Sequence, residues 1–442
     1  MTAPQAPASL TQDSLTPRRA ALALLDQIIG GGRLMPELIS GGVVADLAQD
    51  DRARAQRLAT DVLRGLGRAD RLLKPFLTKA PPLTIHNILR LGTLEIARGA
   101  AAHGVVNDMV QLAGEGKRTA SLKGLVNAVL RKVAAGTPHD WDALPVPALP
   151  GWLREPLVEA WGRKAVAAME KAHAAGAPLD LSARGDASQV AAAVGGLVLP
   201  TGSVRVQQAG QVTLMPGYAT GDWWVQDAAA ALPVRLLAPR PGERVLDLCA
   251  APGGKTLQLA ALGAIVTALD QSGARMQRVA ANLTRTGLAA DLIVADALTY
   301  SGADFDAVLL DAPCSGTGTI RRHPDLPYAK DGSEFAHLIA QQSLLIDHAL
   351  TLLRPGGRLV FCTCSLLPDE GEVQAEAALA RHPDLQADRD AVAALPGIDP
   401  GWITPEGGLR LRPDHWPEVG GIDGFYMIAL RKSAPAGTAG PA

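Results

Sequence analysis

From residue 236 onward, short apolar segments alternate with longer segments of helical periodicity. Five of the apolar segments read RVLDLCA, AIVTALDQ, ADLIVADA, FDAVLLDAP and RLVFCTCS. Strands that are covered on both faces have this composition, and strands separated by helices pair in parallel. The sequence therefore predicts an α/β domain with a doubly wound, mainly parallel sheet over residues 236–432.

The chain before residue 236 has a different organisation. Residues 16–138 show helical spacing of apolar residues and no strand-like alternation, so they predict an all-α domain. Residues 139–150 are rich in proline and are predicted to be a linker. Residues 151–235 combine a helical segment with the strand-like segments PLDLSAR, GLVLP, SVRVQ and WWVQD, which indicates a small α+β module.

Composition narrows the class of protein. Residues 1–15 and 433–442 are rich in Ala, Pro and Gly and are predicted to be disordered tails. The four cysteines form no C-x-x-C pair and no histidine pair lies near them, so neither a disulfide scaffold nor a metal site is expected. No stretch reaches the ~18 apolar residues of a membrane span. The sequence predicts a soluble, cytoplasmic, monomeric protein with no membrane partner.

The carboxyl ends of the predicted strands carry the residues of a ligand site, because ligands bind there in such sheets. The Gly-rich turn CAAPGGK follows the first strand and matches neither G-x-G-x-x-G nor the phosphate loop G-x-x-x-x-G-K-[ST], so a nicotinamide-dependent oxidoreductase is not favoured. Four successive strands end near an acid: Asp247, Asp270, Asp296 and Asp311. The predicted cofactor contacts are Cys249, Ala250, Ala251, Pro252, Gly253, Gly254, Lys255, Asp270, Asp296 and Asp311.

A group of carboxylates suits a ligand that has hydroxyls, an amine and a positive charge, and it suits a pyrophosphate poorly. S-adenosylmethionine has these features and is the predicted cofactor. Asp270 ends the second strand about 20 residues after the turn, which is where an acid binds a ribose hydroxyl pair in sheets of this kind.

Three segments resemble the signature segments of RNA (cytosine-5)-methyltransferases: DLCAAPGGKT, LLDAPCSGTGTIRRHPD and CTCSLLPDEGE. They are most similar to the bacterial 16S rRNA branch called Sun, Fmu or RsmB. ILRLGTLEIARG, HGVVNDMVQLA and LKGLVNAVLRKV resemble that branch's NusB-like domain. The resemblance implies a Rossmann-like S-adenosylmethionine-dependent methyltransferase domain. Its implied substrate is 16S rRNA, at cytosine 967 in the family's usual numbering.

The chemistry of cytosine methylation explains why cysteines matter. Carbon 5 is a poor nucleophile until a thiolate adds to carbon 6, and an acid at the N3/N4 edge of the base takes up developing charge. Strand alternation places Cys362 and Cys364 on one face and does not choose between them, although Cys364 lies nearer the carboxyl end. The resemblance gives the attack to Cys364 and product release to Cys314. Asp311, at the end of the fourth strand, is the predicted catalytic acid at the base edge, and Cys362 is expected to be a buried hydrophobe.

Charge distribution bears on the RNA partner. Residues 1–140 contain 18 Lys and Arg against 12 Asp and Glu, whereas residues 236–442 contain 17 against 24. The excess of positive charge in residues 1–140 fits contact with RNA. A chance distribution of charged surface residues would explain this excess equally well. Arg321, Arg322 and His323 are predicted to contact RNA phosphates. A tRNA (cytosine-5)-methyltransferase and a non-catalytic RNA-binding assembly factor remain as alternatives, and the rRNA is expected as free RNA or an early assembly intermediate.

Overall fold

The computed structural model describes residues 15–136 and 141–433, so most of the two predicted tails and the start of the predicted linker lie outside the described part. The helices are α1 (Leu15–Ile29), α2 (Met35–Ser40), α3 (Gln49–Arg64), α4 (Leu66–Leu73), α5 (Leu83–Ala97), α6 (Ala102–Glu115), α7 (Lys123–Ala135), α8 (Gly151–Ala175), α9 (Ala187–Val194), α10 (Ala228–Leu237), α11 (Gly254–Ala261), α12 (Gly273–Thr286), α13 (Leu326–Ala329), α14 (Phe335–Leu352), α15 (Glu372–Arg381) and α16 (Arg389–Ala393). The strands are β1 (Leu179–Ala183), β2 (Leu197–Val198), β3 (Val204–Val206), β4 (Trp223–Val225), β5 (Arg244–Leu248), β6 (Ile265–Asp270), β7 (Asp291–Val294), β8 (Phe305–Asp311), β9 (Leu353–Thr363), β10 (Leu385–Ala387), β11 (Leu409–Leu411) and β12 (Phe425–Lys432).

The described residues form two compact units. The helical unit contains the described residues up to 150 together with residues 323–330, and the sheet unit contains residues 151–322 and the described residues from 331 onward. The predicted small module at residues 151–235 thus belongs to the same unit as the large sheet.

The helical unit is built around α5, which is buried along most of its length. Ile85 and Leu91 on α5 are fully buried, and α1, α3, α4, α6 and α7 all pack against this helix. A helix that is buried on most sides needs neighbours on most sides, and these five helices supply them. Asp26 of α1 accepts hydrogen bonds from Thr84 Oγ1 at 2.8 Å and Asn87 Nδ2 at 2.7 Å, which tie the first turn of α5 to α1.

Two segments join the helical unit that the sequence did not assign to it. Trp141, in the predicted linker, is buried in the helical core, and a Cβ added to Gly65 would lie 2.2 Å from its ring. Residues 323–330 include α13, where Asp325 accepts a hydrogen bond from the backbone N–H of Met35 at 2.7 Å. Both contacts join residues far apart in the chain, so no local pattern predicts them.

The larger sheet has the strand order β10-β12-β9-β8-β5-β6-β7, and β11 pairs with β12. The five strands β5 to β9 pair in parallel, which confirms the predicted α/β class. β12 lies antiparallel between β9 and β10, and the sequence did not predict this strand.

Helices cover both faces of this sheet. Val245 of β5 packs in the same cluster as Leu257 of α11 and Val279 of α12, whereas the next residue, Leu246, packs with Leu345 of α14. Burial on both faces explains why the central strands are apolar at odd and even positions. Because the strands are parallel, their carboxyl ends all reach one edge of the sheet.

The smaller sheet is antiparallel, with the order β2-β3-β1-β4. All four strands fall in the segments that the sequence predicted to be strands. Arg205 of β3 and Asp180 of β1 form an ion pair at 2.7 Å with both side chains fully buried. In the described part of the chain, none of the helices has the length and apolar character needed to span a membrane.

Candidate active site

The predicted cofactor turn connects β5 to α11. Cys249 has a positive φ of 61° and Gly253 a φ of 100°, so the chain reverses sharply before the helix begins at Gly254. The peptide bond between Ala251 and Pro252 is cis. A side chain at Gly253 would be strained by this φ and would also lie 3.0 Å from Val279.

The turn is tied to the end of β6 by Asp270. This buried carboxylate accepts hydrogen bonds from the backbone N–H of Ala251 at 3.1 Å and of Ser272 at 2.9 Å, and Arg275 lies 3.4 Å from its Oδ2. Ala250 donates its N–H to the carbonyl of Leu269 at 3.0 Å. These contacts bring the turn and the predicted ribose acid together.

Asp296 lies two residues beyond the end of β7 and is exposed. Its Oδ1 accepts a hydrogen bond from the backbone N–H of Leu298 at 3.0 Å. The strand pairing places β7 beside β6, so the Asp296 segment follows the strand next to the one that ends at Asp270.

Asp247 on β5 has an oxygen without a partner. Its Oδ2 accepts a hydrogen bond from Thr256 Oγ1 at 2.6 Å, but its buried Oδ1 has no hydrogen-bond partner among the described residues. Burial, mainly, raises the pKa of Asp247 to about 7. An orphaned acceptor beside the turn, together with the carboxylates of Asp270, Asp296 and Asp311, fits a ligand that brings hydroxyl and amine donors, as S-adenosylmethionine does.

Cys314 and Cys364 meet at the ends of neighbouring strands. β8 pairs in parallel with β9; Cys314 lies three residues after β8 and Cys364 directly follows β9, and their sulfur atoms are 3.5 Å apart. The hydrogen bond to Cys364 and burial raise the pKa of Cys314 well above its ordinary value. Cys314 therefore retains its proton at neutral pH, and its S–H can donate to the sulfur of Cys364.

The other two cysteines are poor candidates for a nucleophile. Cys362 is fully buried, with its sulfur 3.6 Å from Asp311 Oδ1, and burial followed by the charge of Asp311 raises its pKa well above the ordinary value. Burial and the neighbouring carboxylates raise the pKa of Cys249 to about 12. Both are neutral thiols at physiological pH, which suits packing better than attack.

Asp311 forms an ion pair with Lys255. The ammonium of Lys255 donates to Asp311 Oδ2 at 2.7 Å and lies 5.2 Å from the centre of the Phe425 ring. Burial is the largest single influence and lowers the pKa of Lys255, but the charge of Asp311, its hydrogen bond and the other neighbouring groups together outweigh burial and raise the pKa. Asp311 keeps 29% of its side chain exposed, so a substrate can reach this pair. The sequence predicted Lys255 as a cofactor contact and did not predict this pair.

The structure contradicts the phosphate contact predicted for Arg321. Its side chain is 0% exposed, and its guanidinium pairs with Asp227 at 2.9 Å and Asp423 at 2.5 Å. Arg322 pairs with the same two carboxylates and is 21% exposed. His323 is exposed and belongs to the helical unit. RNA contacts by Arg322 and His323 stay predictions.

Sequence reasoning missed Glu370. It lies in the acidic segment PDEGE, which is typical of a solvated turn, yet the structure buries it completely. Its position six residues after Cys364 could have indicated this, because a side chain so near in the sequence can reach the end of β9.

Comparisons with known proteins show what the chain is similar to. The family model described as 16S rRNA methyltransferase RsmB/F matches residues 234–431, and the NusB family model matches residues 15–135. Ribosomal RNA small subunit methyltransferase B of Sodalis glossinidius is 35% identical, over 86% of this chain and 92% of its own length. The Thermus thermophilus protein of the same name is 35% identical, over 94% of this chain and 98% of its own length.

The fold is also found among solved structures. The crystal structure of PH0851 aligns with a TM-score of 0.73 at 22% identity and covers 94% of this chain and 99% of its own. At that identity the likeness shows the fold alone. The identity to the two curated relatives extends over most of both chains. The chain therefore belongs to the RsmB/F family of 16S rRNA methyltransferases, as an S-adenosylmethionine-dependent RNA (cytosine-5)-methyltransferase with a NusB-family domain at its amino-terminal end.

Proposed function

We propose that the protein methylates carbon 5 of cytosine 967 in 16S rRNA, in the family's usual numbering, through a covalent bond between Cys364 and carbon 6 of the base. One observation carries this proposal: the sulfur atoms of Cys314 and Cys364 lie 3.5 Å apart at adjoining strand ends. A non-catalytic RNA-binding factor would not need two thiols in contact at this edge of the sheet.

The proposed reaction begins when the Cys364 thiolate adds to carbon 6. The electron pair of the C5–C6 double bond then makes carbon 5 nucleophilic, which the free base is not. S-adenosylmethionine supplies, when bound, the electrophilic methyl group that carbon 5 takes. A base, proposed to be the ionised Cys314, takes the proton from carbon 5; the electron pair of that C–H bond restores the double bond, and Cys364 leaves as a thiolate.

Asp311 is proposed to hold the N3/N4 edge of the cytosine. Negative charge grows on that edge when the thiolate adds, and a nearby proton donor stabilises it. The ion pair with Lys255 places the ammonium nitrogen 2.7 Å from Asp311 Oδ2, so the pair as a whole can donate. Lys255 also fixes the direction of the carboxylate.

Cys314 is proposed to promote release of the methylated base. Before the reaction, the hydrogen bond to Cys364 is the largest cause of the raised pKa of Cys314. Once Cys364 is bonded to carbon 6, its sulfur is a thioether, which accepts hydrogen bonds only weakly, so this cause of the raised pKa of Cys314 is weakened. Cys314 then ionises more readily, at the step where a proton must be removed from carbon 5.

The substrate is proposed to be free 16S rRNA or an early assembly intermediate, bound by a monomer in the cytoplasm. The target base must be single-stranded or flipped out of a stack before Cys364 can reach carbon 6. The names of the curated relatives support a small-subunit rRNA substrate, and the net charge of +6 on residues 1–140 supports contact with RNA.

Mapping 5-methylcytosine in RNA from cells with and without this gene tests the proposal. The expected result is one methylated cytosine in 16S rRNA, at position 967, that disappears without the gene and returns when purified protein acts on the unmodified RNA. Loss of methylation in tRNA instead, with 16S rRNA unchanged, would contradict the proposed substrate and favour the tRNA alternative.

A further inference from the structure

Glu370 has a fully buried carboxylate that accepts three hydrogen bonds. Its Oε1 accepts from the backbone N–H of Ser315 at 2.9 Å and from Gln342 Nε2 at 3.0 Å. Its Oε2 accepts from the hydroxyl of Ser365 at 2.6 Å. A buried carboxylate is costly unless donors surround it, and here three donors do so.

Two of these donors directly follow the cysteines of the site. Ser315 follows Cys314, and Ser365 follows Cys364. The two serine hydroxyls are themselves 3.2 Å apart. A single carboxylate therefore joins the two segments that carry the sulfur atoms.

The residues that precede the cysteines are tied to Glu370 as well. The hydroxyl of Thr363 donates to the backbone carbonyl of Glu370 at 2.9 Å. Gln342 of α14 donates both to the carboxylate of Glu370 and to the carbonyl of Pro313, the latter at 2.9 Å. Each cysteine is thus held through both of its neighbours in the chain, and every one of these contacts leads to Glu370 directly or through Gln342.

We propose that Glu370 is a positioning residue that sets the distance between the sulfur atoms of Cys314 and Cys364. Through that distance it controls release of the covalently bound base, a consequence that rests on the proposed function, whereas the sulfur spacing does not. The carboxylate uses one oxygen for Ser315 and the other for Ser365. A shorter acid withdraws both oxygens by one methylene group, so it cannot keep both hydrogen bonds at their present lengths.

Phenylarsine oxide measures the spacing in the full chain without RNA or catalysis, because it bridges two neighbouring thiols with loss of one water. Mass spectrometry of the wild-type protein should show one arsenical across the pair, and Cys314→Ala should abolish it. Glu370→Asp and Glu370→Ala should slow capture at least ten-fold. Glu370→Gln, which keeps the length of the side chain, should slow it less. The exposed neighbour change Asp369→Asn, which removes the same charge, should leave capture and activity unchanged.

A second measurement tests whether Glu370 controls release of the covalently bound base. With S-adenosylmethionine and unmodified 16S rRNA, Glu370→Asp should accumulate a protein–RNA adduct that survives denaturation, and the wild-type protein should not. If Glu370→Ala does not fold, the folded Glu370→Asp protein decides both measurements. A merely structural role would lower addition and release together, and no adduct would accumulate.

If folded Glu370→Asp captures phenylarsine oxide as fast as the wild-type protein, the proposal is overturned. This holds even if Cys314→Ala forms the adduct and so supports the covalent mechanism. Slow capture together with no adduct in any variant, Cys314→Ala included, would support the positioning role and remove the covalent step of the proposed function. A third outcome is also possible: Glu370→Asp captures the arsenical slowly, but only Cys314→Ala accumulates the adduct. This result would show that the sulfur spacing does not control release, and it would overturn the release part of the proposal.

Discussion

At the scale of single residues, burial and hydrogen-bond partner decide which of the two cysteines at the end of β9 can react. Alternation along β9 could not separate Cys362 from Cys364, because both point to the same side. The structure separates them by burial and by partner: Cys362 is fully buried against Asp311, and Cys364 meets Cys314. The sequence placed Arg321 in a loop and predicted that it contacts RNA phosphates. The structure instead buries its side chain against two carboxylates that are distant in the chain.

Cys362→Ala should leave methylation substantially intact. The change removes a buried sulfur atom that has no role in the proposed reaction, and the small cavity should cost about 1 kcal/mol of unfolding free energy. Initial rates of methyl transfer and thermal melting of the purified variant check both parts. Loss of activity in a protein that melts like wild type would mean that Cys362, and not Cys364 alone, takes part in the chemistry.

Asp247→Asn should change how stability depends on pH. The pKa of Asp247 in the folded chain is about 7, raised from 3.8, so its contribution to stability is complete below pH ~4 and is lost as the pH rises through 7. The asparagine variant has no such loss. Urea unfolding of the sheet unit at pH 5 and pH 8 should show the wild type losing roughly 2–3 kcal/mol more than the variant over that interval. Parallel pH dependences would show that Asp247 is ionised throughout.

At the scale of elements, local pattern predicted the parallel strands but not their complete order. β12 is as apolar as its neighbours, and nothing in FYMIALRK reveals that it runs antiparallel between β9 and β10. That placement matters for the site. Gly318, four residues after Cys314, donates its N–H to the carbonyl of Cys364 at 2.9 Å and accepts from the N–H of Gly424 at 2.8 Å, just before β12.

Gly318→Ala should therefore destabilise the site. An added Cβ would lie 1.9 Å from the carbonyl oxygen of Gly424, and backbone on both sides leaves no easy escape, so a cost of about 1–3 kcal/mol or more is expected. The melting temperature and the rate of methyl transfer should both fall. Gly185→Ala is the matched control, because its Cβ would meet nothing within 4 Å. Equal melting temperatures for the two variants would contradict the close approach.

At the scale of the whole molecule, the sequence predicted a helical front and an α/β rear, and the described residues do divide into a helical unit and a sheet unit. It could not predict that residues 323–330 would leave the sheet unit and pack with the helical one, because this depends on contacts such as Met35 with Asp325 across most of the chain.

A chain that begins at residue 151 should still bind S-adenosylmethionine, since the residues of the cofactor turn and its acids all lie in the sheet unit. It should bind RNA less tightly and with a shallower dependence on salt, because residues 1–140 carry a net charge of +6. Calorimetry with the cofactor and RNA titrations across a salt series measure the two effects. An unchanged salt slope would show that the basic front does not contact RNA.

The central claim is that Cys364 attacks and Cys314 releases, and denaturing gel electrophoresis of the two alanine variants with 16S rRNA and S-adenosylmethionine tests it most directly. Cys314→Ala should form a protein–RNA adduct that survives denaturation and accumulates only when the cofactor is present. Cys364→Ala should form no adduct and transfer no methyl group. An adduct trapped by Cys364→Ala rather than by Cys314→Ala would contradict the account, because it would exchange the roles of the two sulfur atoms.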